Sequence, residues 1–378
     1  MLKLLRPIGV TLLLIATAVL PIQSAPPRDS PRPLLRVNGA CRELPLEHMP
    51  GWTISGSWSD DGSTLLVVDA FDNQVLRYSL LGEYQGPVLQ LSKSIQRFTP
   101  SVLKGQGSSR YLELAQARMV RLDDNLRPVK TYDLIAGSQR EGESIKGIFQ
   151  WDLAGDEALV FGDINRSGRQ NPEQEWRSGF FRIPLETPGV FRSLYEISPK
   201  DPTRLFYRLG NPMIASLGET SYILLMEERP RIYRSRKGEA RLEPLDAFPE
   251  SLGERPTLPS WKSLEDYAWL MRVVERSTMP VALFGWEGHL YVVGRHSEDG
   301  GSTRWSLTKI DPHADRVVWT TDVPLLSTAH HVTVVPGSQQ WAWIEKGVVR
   351  GLFNQDIDRV LFLPAEKLRG VPGENACQ

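Results

Sequence analysis

Residues 57–83 read SWSDDGSTLLVVDAFDNQVLRYSLLGE, and this stretch decides the fold. The motifs DDG at 60–62 and DN at 72–73 are turn signals, because Gly and Asn tolerate positive φ and Asp caps nearby amides. Residues 64–68 are rich in β-branched side chains, and residues 74–80 alternate between apolar and polar. The pattern predicts a meander of short antiparallel strands, which cannot bury its apolar faces alone.

Looser versions of the meander recur along the chain. Each contains four strand-length runs separated by Gly, Asp, Asn and Pro clusters. Six such units without long helical crossovers favour radial repetition over a sandwich or several small barrels. We therefore predict an all-β fold, a six-bladed β-propeller, and a count that differs by one blade stays open. The units cover about 50–91, 98–135, 145–197, 205–248, 280–323 and 328–364.

The first unit carries a repeat signature. Residues 69–78 (DAFDNQVLRY) are followed by a glycine at Gly82. They resemble the NHL-repeat pattern of an aspartate, an asparagine, a V/I-x-x-[FY] strand and a final glycine. The chain therefore resembles the six-bladed, TolB-like propellers, although only this unit matches well. The resemblance implies the fold and leaves the function open, because that superfamily includes enzymes, binding modules and scaffolds.

The N-terminal residues predict export. Lys3 and Arg6 precede a nearly continuous apolar run at 9–20, which is shorter than the ~20 residues that a membrane-spanning helix needs. We therefore predict a periplasmic or extracellular protein without a membrane span after cleavage; a retained anchor is the alternative. The expected organisation is a signal peptide at 1–24, an extended leader at 25–40 and the propeller at 41–378.

The composition excludes some classes of partner. The 378 residues carry 44 basic and 45 acidic side chains, mixed along the chain, for a net charge of −1. Because there is no basic stripe, we expect no nucleic acid partner. A hydrophobic content of 41% with 11 Trp is ample for a buried core. We expect a monomer.

The two cysteines, Cys41 and Cys377, lie at opposite ends of the predicted propeller. In an oxidising compartment two such residues are commonly paired. We predict a disulfide that closes the ring, with two unpaired thiols as the alternative.

One segment breaks the strand pattern. Residues 259–277 contain SLEDYAWLMRVVERS, with Ser263 as N-cap and Asp266 three residues later. Apolar residues recur at helical spacing, so we predict a helix inserted between blades 4 and 5. It either forms a lid over the channel or packs as a decorative insertion.

One loop resembles a calcium site. Asp163, Asn165 and Ser167 place oxygen ligands at alternate positions before a glycine, but the twelfth position is Gln174 instead of a bidentate acid. A polar exposed turn is the simpler interpretation. We predict no cofactor, with Ca²⁺ at this loop as the alternative.

The sequence contains no evident catalytic constellation. Adjacent His330 and His331 would point to opposite faces of a strand. The sequence contains neither a nucleophile elbow nor a glycine-rich phosphate loop.

The remaining candidate is a surface. In a propeller the innermost strands line a central tunnel, and the loops that enter them form a usual binding face. Aromatic and arginine side chains near the starts of the units are candidate ligand contacts, although Trp also packs between blades. These candidates are Trp52, Phe98, Trp151, Arg208, Trp286 and His330.

Two functional hypotheses follow. The first is an exported binding or scaffold module that recognises a protein, peptide or glycan on one propeller face. The second is an enzyme with its site in the tunnel, either a metal-dependent lactonase or hydrolase or a quinone-dependent sugar dehydrogenase. Metal analysis of the purified protein separates them.

Overall fold

Six antiparallel four-stranded sheets make up the fold, and they are the blades of a β-propeller. The structure is a computed structural model. It describes residues 42–43, 53–69, 74–90, 103–106, 109–114, 118–135, 142–166, 176–187, 191–198, 201–208, 213–255, 276–298, 302–323, 331–349 and 355–370.

The strands follow the chain from blade to blade, after a short strand β1 (Arg42–Glu43). Blades 1 and 2 contain β2 (Thr53–Trp58), β3 (Thr64–Asp69), β4 (Gln74–Ser79), β5 (Tyr84–Gln90), β6 (Leu103–Gln106), β7 (Ser109–Leu114), β8 (Arg118–Leu122) and β9 (Pro128–Asp133). Blades 3 and 4 contain β10 (Glu143–Ala154), β11 (Glu157–Arg166), β12 (Trp176–Pro184), β13 (Arg192–Ile197), β14 (Ile214–Leu217), β15 (Thr220–Leu225), β16 (Arg231–Arg236) and β17 (Glu243–Pro244). Blades 5 and 6 contain β18 (Met279–Trp286), β19 (His289–Ser297), β20 (Thr303–Asp311), β21 (Arg316–Val323), β22 (His331–Val335), β23 (Gln340–Val349) and β24 (Gln355–Pro364).

Helices are short. The described residues contain two 3₁₀ helices, Pro202–Arg208 and Glu250–Leu252, and one α-helix, α1 (Glu366–Arg369). None of them has the length and hydrophobicity needed to cross a bilayer.

The predicted turn residues end the strands for the expected reasons. In the hairpin of blade 1, the Asp61 carboxylate accepts bonds from the Ser63 backbone N–H (2.9 Å) and the Ser59 hydroxyl (2.6 Å). Gly62 has φ +69°, a value that side-chain-bearing residues rarely adopt. Asp123 likewise accepts backbone bonds from residues two and four positions later. These local bonds compete with ladder bonds and therefore stop the strands.

The hydrophobic core lies between neighbouring blades. One cluster joins blades 1 and 2, a second joins blades 2 and 3, and a third runs through blades 3 to 6. A fourth cluster joins blade 6 back to blade 1, where the Trp58 indole N–H donates to the carbonyl of Val335 at 2.9 Å. Apolar packing thus continues around the whole ring.

The ring is closed by a strand that the sequence did not reveal. The N-terminal strand β1 pairs antiparallel with β24, with Arg42 opposite Phe362 and Glu43 opposite Leu361. It is the fourth strand of blade 6, whose order is β1-β24-β23-β22. The outer strand of the last blade therefore comes from the start of the propeller sequence.

The six-bladed, all-β prediction is confirmed. Cys41 and Cys377 lie outside the described residues, as do the predicted leader and signal peptide. So does the predicted helix at 259–277, except for Arg276 and Ser277, which are not helical.

Candidate functional site

Each blade has two ends. At the end that we call the hairpin end, turns join the first strand to the second and, in blades 1 to 5, the third to the fourth. The first strands of neighbouring blades lie against one another around the ring, so they are the innermost strands. Most loops at the opposite end lie outside the described residues. The hairpin end and the spaces between blades are therefore the places where a site can be built from described side chains.

Trp286 is the last residue of β18 and lies at the hairpin end of blade 5. Its ring is half-buried and packs edge-on against Trp341 of blade 6, with the ring centroids 5.0 Å apart. The guanidinium carbon of Arg369 lies 5.4 Å from the centroid of the Trp286 ring. The indole is thus held between an aromatic core and a cation, a favourable arrangement for its negative ring face.

Arg369 is bound to the residue that follows Trp286. Its Nε lies 3.0 Å from Oε2 of Glu287, and its Nη2 lies 2.8 Å from Oε1. Nη2 also donates to the carbonyl of Ser338 in blade 6 at 2.8 Å. These bonds lower the pKa of Glu287 and raise that of Arg369. The pair remains near water, because the Arg369 side chain is 47% exposed and that of Glu287 is 43% exposed.

His289 lies across the same turn. Its Nδ1 is 2.9 Å from the carbonyl of Glu287, and the ring is half-buried. Glu287 has φ +44° and Gly288 has φ +75°. The two-residue turn between β18 and β19 requires positive φ at both positions. We name Trp286, Glu287, His289 and Arg369 the Trp286 surface.

Aromatic side chains form the floor of the Trp286 surface. Tyr291 stacks on Phe284 at 5.6 Å and meets Trp341 edge-on at 4.9 Å. The hydroxyl of Tyr291 and the indole N–H of Trp341 are buried without a hydrogen-bond partner. Burial raises the pKa of Tyr291, so its hydroxyl stays protonated. A floor of packed rings holds the exposed groups in one geometry.

Lys309 fixes the backbone below Arg369. Its ammonium donates to the carbonyl of Arg369 at 2.9 Å and lies 6.0 Å from the Tyr291 ring centroid. Burial lowers the pKa of Lys309, and the charge of Glu287 opposes that effect. Helix α1 is therefore attached to blade 5 through its main chain as well as through the Arg369 side chain.

A second unusual group lies between blades 2 and 3. Glu113 is the fifth residue of the second strand of blade 2 and is 3% exposed. In the other five blades the fifth residue of the second strand is apolar and buried. Those residues are Val68, Phe161, Leu224, Val293 and Ile344.

The surroundings of Glu113 disfavour its charge. Burial raises its pKa to about 8, and the indole N–H of Trp151 and the charge of Lys104 only partly offset this effect. The Trp151 N–H is close enough to favour the charged form of Glu113, but it does not reach hydrogen-bonding geometry. Lys104 is bound to Asp152 at 3.0 Å, and these two side chains are 24% and 20% exposed. Such a perturbed carboxyl is often found at functional sites, but this one is shielded from solvent.

Two of the predicted ligand contacts, Trp151 and Trp286, have described side chains, and they lie in different parts of the propeller. Trp151 is a core residue, 2% exposed, between blades 2 and 3. Trp286 lies at the hairpin end, opposite the loop that enters its strand. Arg208 ends a 3₁₀ helix, and its side chain is outside the described part. Trp52, Phe98 and His330 also lie outside it.

Two of the three predicted calcium ligands lie on a strand. Asp163 and Asn165 lie on β11 in continuous register with β12, and the Asp163 carboxylate accepts a bond from the Ser178 hydroxyl at 2.6 Å. Ser167 lies outside the described residues. Among the residues that are described, no three His, Cys, Asp or Glu side chains converge to hold a metal ion. Calcium at this loop stays the untested alternative to the prediction of no cofactor.

Sequence reasoning missed Glu113, Glu287 and Arg369. Aligning the second strands of the six units would have shown a charge in an otherwise apolar column at Glu113. No comparable signal exists for Arg369, because 82 residues separate it from Glu287 and only the fold brings them together.

The fold is shared with solved structures. A member of the DUF4221 family from Bacteroides vulgatus superposes with a TM-score of 0.53 at 8% identity, over 86% of this chain and 95% of that one. A Bacteroides fragilis protein described as exported gives 0.45 at 10%, over 85% and 94%. A gluconolactonase from Xanthomonas campestris gives 0.46 at 12%, over 86% and 90%. At such identities the likeness concerns the fold alone.

No protein-family model matches the chain, and no curated protein matches it in sequence.

Proposed function

We propose that this chain is an exported β-propeller module that binds a protein or peptide partner through the Trp286 surface. The observation that carries the proposal is a half-exposed indole, held rigid by packed aromatic rings and flanked by an exposed arginine and carboxylate. Trp and Arg supply much of the binding energy in protein interfaces. A rigid surface also loses little conformational entropy when a partner binds.

Export and family remain part of the proposal. The basic and apolar pattern at 1–24 supports a signal peptide, and the motif at 69–78 supports a place among NHL-like, TolB-like propellers. A Cys41–Cys377 disulfide suits the oxidising compartment to which such a signal leads.

The test compares immobilised variants. Wild-type protein, Glu287→Arg and Glu298→Arg are exposed to a periplasmic extract of the host, and the retained proteins are quantified. Glu298 is exposed at the opposite end of the same blade, so it controls for a general charge effect. We expect Glu287→Arg to lose a protein that the other two retain. Equal retention by all three would contradict the proposal.

The enzymatic alternative has its own readout. Metal analysis of the purified protein, together with turnover of a sugar lactone, would support it if stoichiometric calcium or zinc survives dialysis. Retention of a partner through Glu287 without metal or turnover supports the binding module.

A further inference from the structure

We propose that Trp286 and Glu287 form a receptor for a guanidinium group, and that Arg369 of the same chain occupies this receptor until a partner's arginine replaces it. This inference rests on the proposed function and specifies the chemistry of its partner: a basic peptide segment that presents an arginine.

The geometry is that of a ligand site. A carboxylate takes two donors of one guanidinium, at 3.0 and 2.8 Å, while an aromatic face lies 5.4 Å from its carbon. A carbonyl of the neighbouring blade accepts a further bond at 2.8 Å. Bidentate pairing and stacking together distinguish arginine from lysine, which offers a compact ammonium without a planar fork.

The receptor groups belong to blade 5, whereas Arg369 belongs to a short helix that follows blade 6. Trp286 ends an eight-residue strand in the inner ring, and Glu287 lies in the tight turn that follows. Arg369 ends a four-residue helix after the last strand of blade 6. Only Leu368 of that helix is buried. Replacement of Arg369 therefore needs no change in a blade.

The occupant is accessible and weakly held. Because both side chains are nearly half exposed, water and salt screen their attraction. The tether gives Arg369 an effective concentration on the order of millimolar. A partner arginine therefore competes only when its neighbouring residues add contacts. We therefore expect that a single arginine without such contacts does not displace Arg369 of helix α1.

Two basic side chains besides Arg369 lie around the site. Lys309 donates to the backbone carbonyl of Arg369 and lies 6.0 Å from the Tyr291 ring centroid, and its charge helps to lower the pKa of Glu287. His289 directs one ring nitrogen to the Glu287 carbonyl. Glu287 is thus the acidic group that receives the guanidinium.

The experiment removes the internal arginine and supplies one in trans. Arg369→Ala protein is titrated with an acetylated peptide of residues 364–371 (PAEKLRGV), and tryptophan fluorescence is followed. If Arg369→Ala does not fold, Arg369→Met replaces it in the titration, because Met keeps an apolar stem over Trp286. We expect saturable binding to the variant, at least tenfold weaker binding to wild type, and at least tenfold weaker binding when Glu287→Gln is added.

The specificity control is a peptide with alanine in place of the arginine, which is expected not to bind. The inference is overturned if the folded variant does not bind the arginine peptide, or if it binds both peptides equally. If that happens while partner retention still depends on Glu287, the proposed function stands and only the guanidinium receptor fails. If the peptide test fails and partner retention also does not depend on Glu287, the proposed function is overturned as well.

Discussion

The carboxyl group of Glu113 in blade 2 faces Trp151 of blade 3, inside the core between the two blades. The other blades place Val, Phe, Leu, Val and Ile at the same position of the second strand. Blade 2 therefore buries an acid where packing requires only an apolar side chain. Its pKa of about 8 means that the group is neutral in the folded protein at pH 7.

Stability should therefore fall as the pH rises. The pKa of Glu113 is raised in the folded state, so between its ordinary value of 4.5 and about 8 the folded chain binds more protons than the unfolded chain. The stability present below pH 4.5 is lost progressively up to about pH 8. The loss is several kcal/mol at most, since one pKa unit corresponds to about 1.4 kcal/mol.

Glu113→Leu should remove this pH dependence and raise the free energy of unfolding most at pH 8. Urea denaturation at pH 5, 6.5 and 8 measures both effects. Asp124→Asn, in an exposed turn, is the matched control and should keep the wild-type profile. A parallel pH profile for Glu113→Leu and wild type would show that the carboxyl does not titrate in this range.

A buried ion pair lies where blades 3 and 4 meet. Arg182 is fully buried, its Nη1 lies 3.1 Å from Oε2 of Glu157, and its Nη2 donates to the carbonyl of Ser235. Arg182→Met should cost about 3–5 kcal/mol, because it leaves Glu157 buried without its partner. The double variant Arg182→Met/Glu157→Leu should recover most of that loss. Denaturant unfolding checks both, and a double variant no more stable than the single one would contradict this account.

Close approach of two strands explains a glycine in blade 3. A Cβ added at Gly162 would lie 2.4 Å from the carbonyl oxygen of Gly147, whereas one at Gly147 would meet only the Phe149 ring at 3.8 Å. We expect Gly162→Ala to reduce the free energy of unfolding by about 1–3 kcal/mol. Gly147→Ala should change it by less than about 0.5 kcal/mol. Equal effects in thermal unfolding would refute the steric explanation.

The predicted disulfide can be tested where the ring closes. Cys41 directly precedes β1, which pairs with β24 near the C-terminus. Non-reducing mass spectrometry should find a peptide linking Cys41 to Cys377. Reduction should lower the melting temperature, by an amount that corresponds to roughly 5 kcal/mol or less. Two alkylatable thiols in protein purified from the host would show that β1 closes the ring without a covalent link.

The sequence predicted much of the fold, because turns and alternation are local signals. The DDG turn and the alternation at 74–80 are readable within one blade. Strand β1 was missed because it is two residues long and its partner Phe362 is 320 positions away along the chain. The Arg369–Glu287 pair was missed for the same reason, because its two residues lie far apart along the chain. Trp286 was identified as a candidate, but its neighbours depend on how blades 5 and 6 pack.

The most direct test of the central claim places a photo-reactive amino acid at position 289 of the protein in its own host. A second variant carries it at position 318, where Val318 is exposed on the outer strand of blade 5. After irradiation, position 289 should form a covalent adduct with a defined partner protein, and position 318 should not. No adduct at 289, or the same adducts at both positions, would contradict the claim that the Trp286 surface binds a partner.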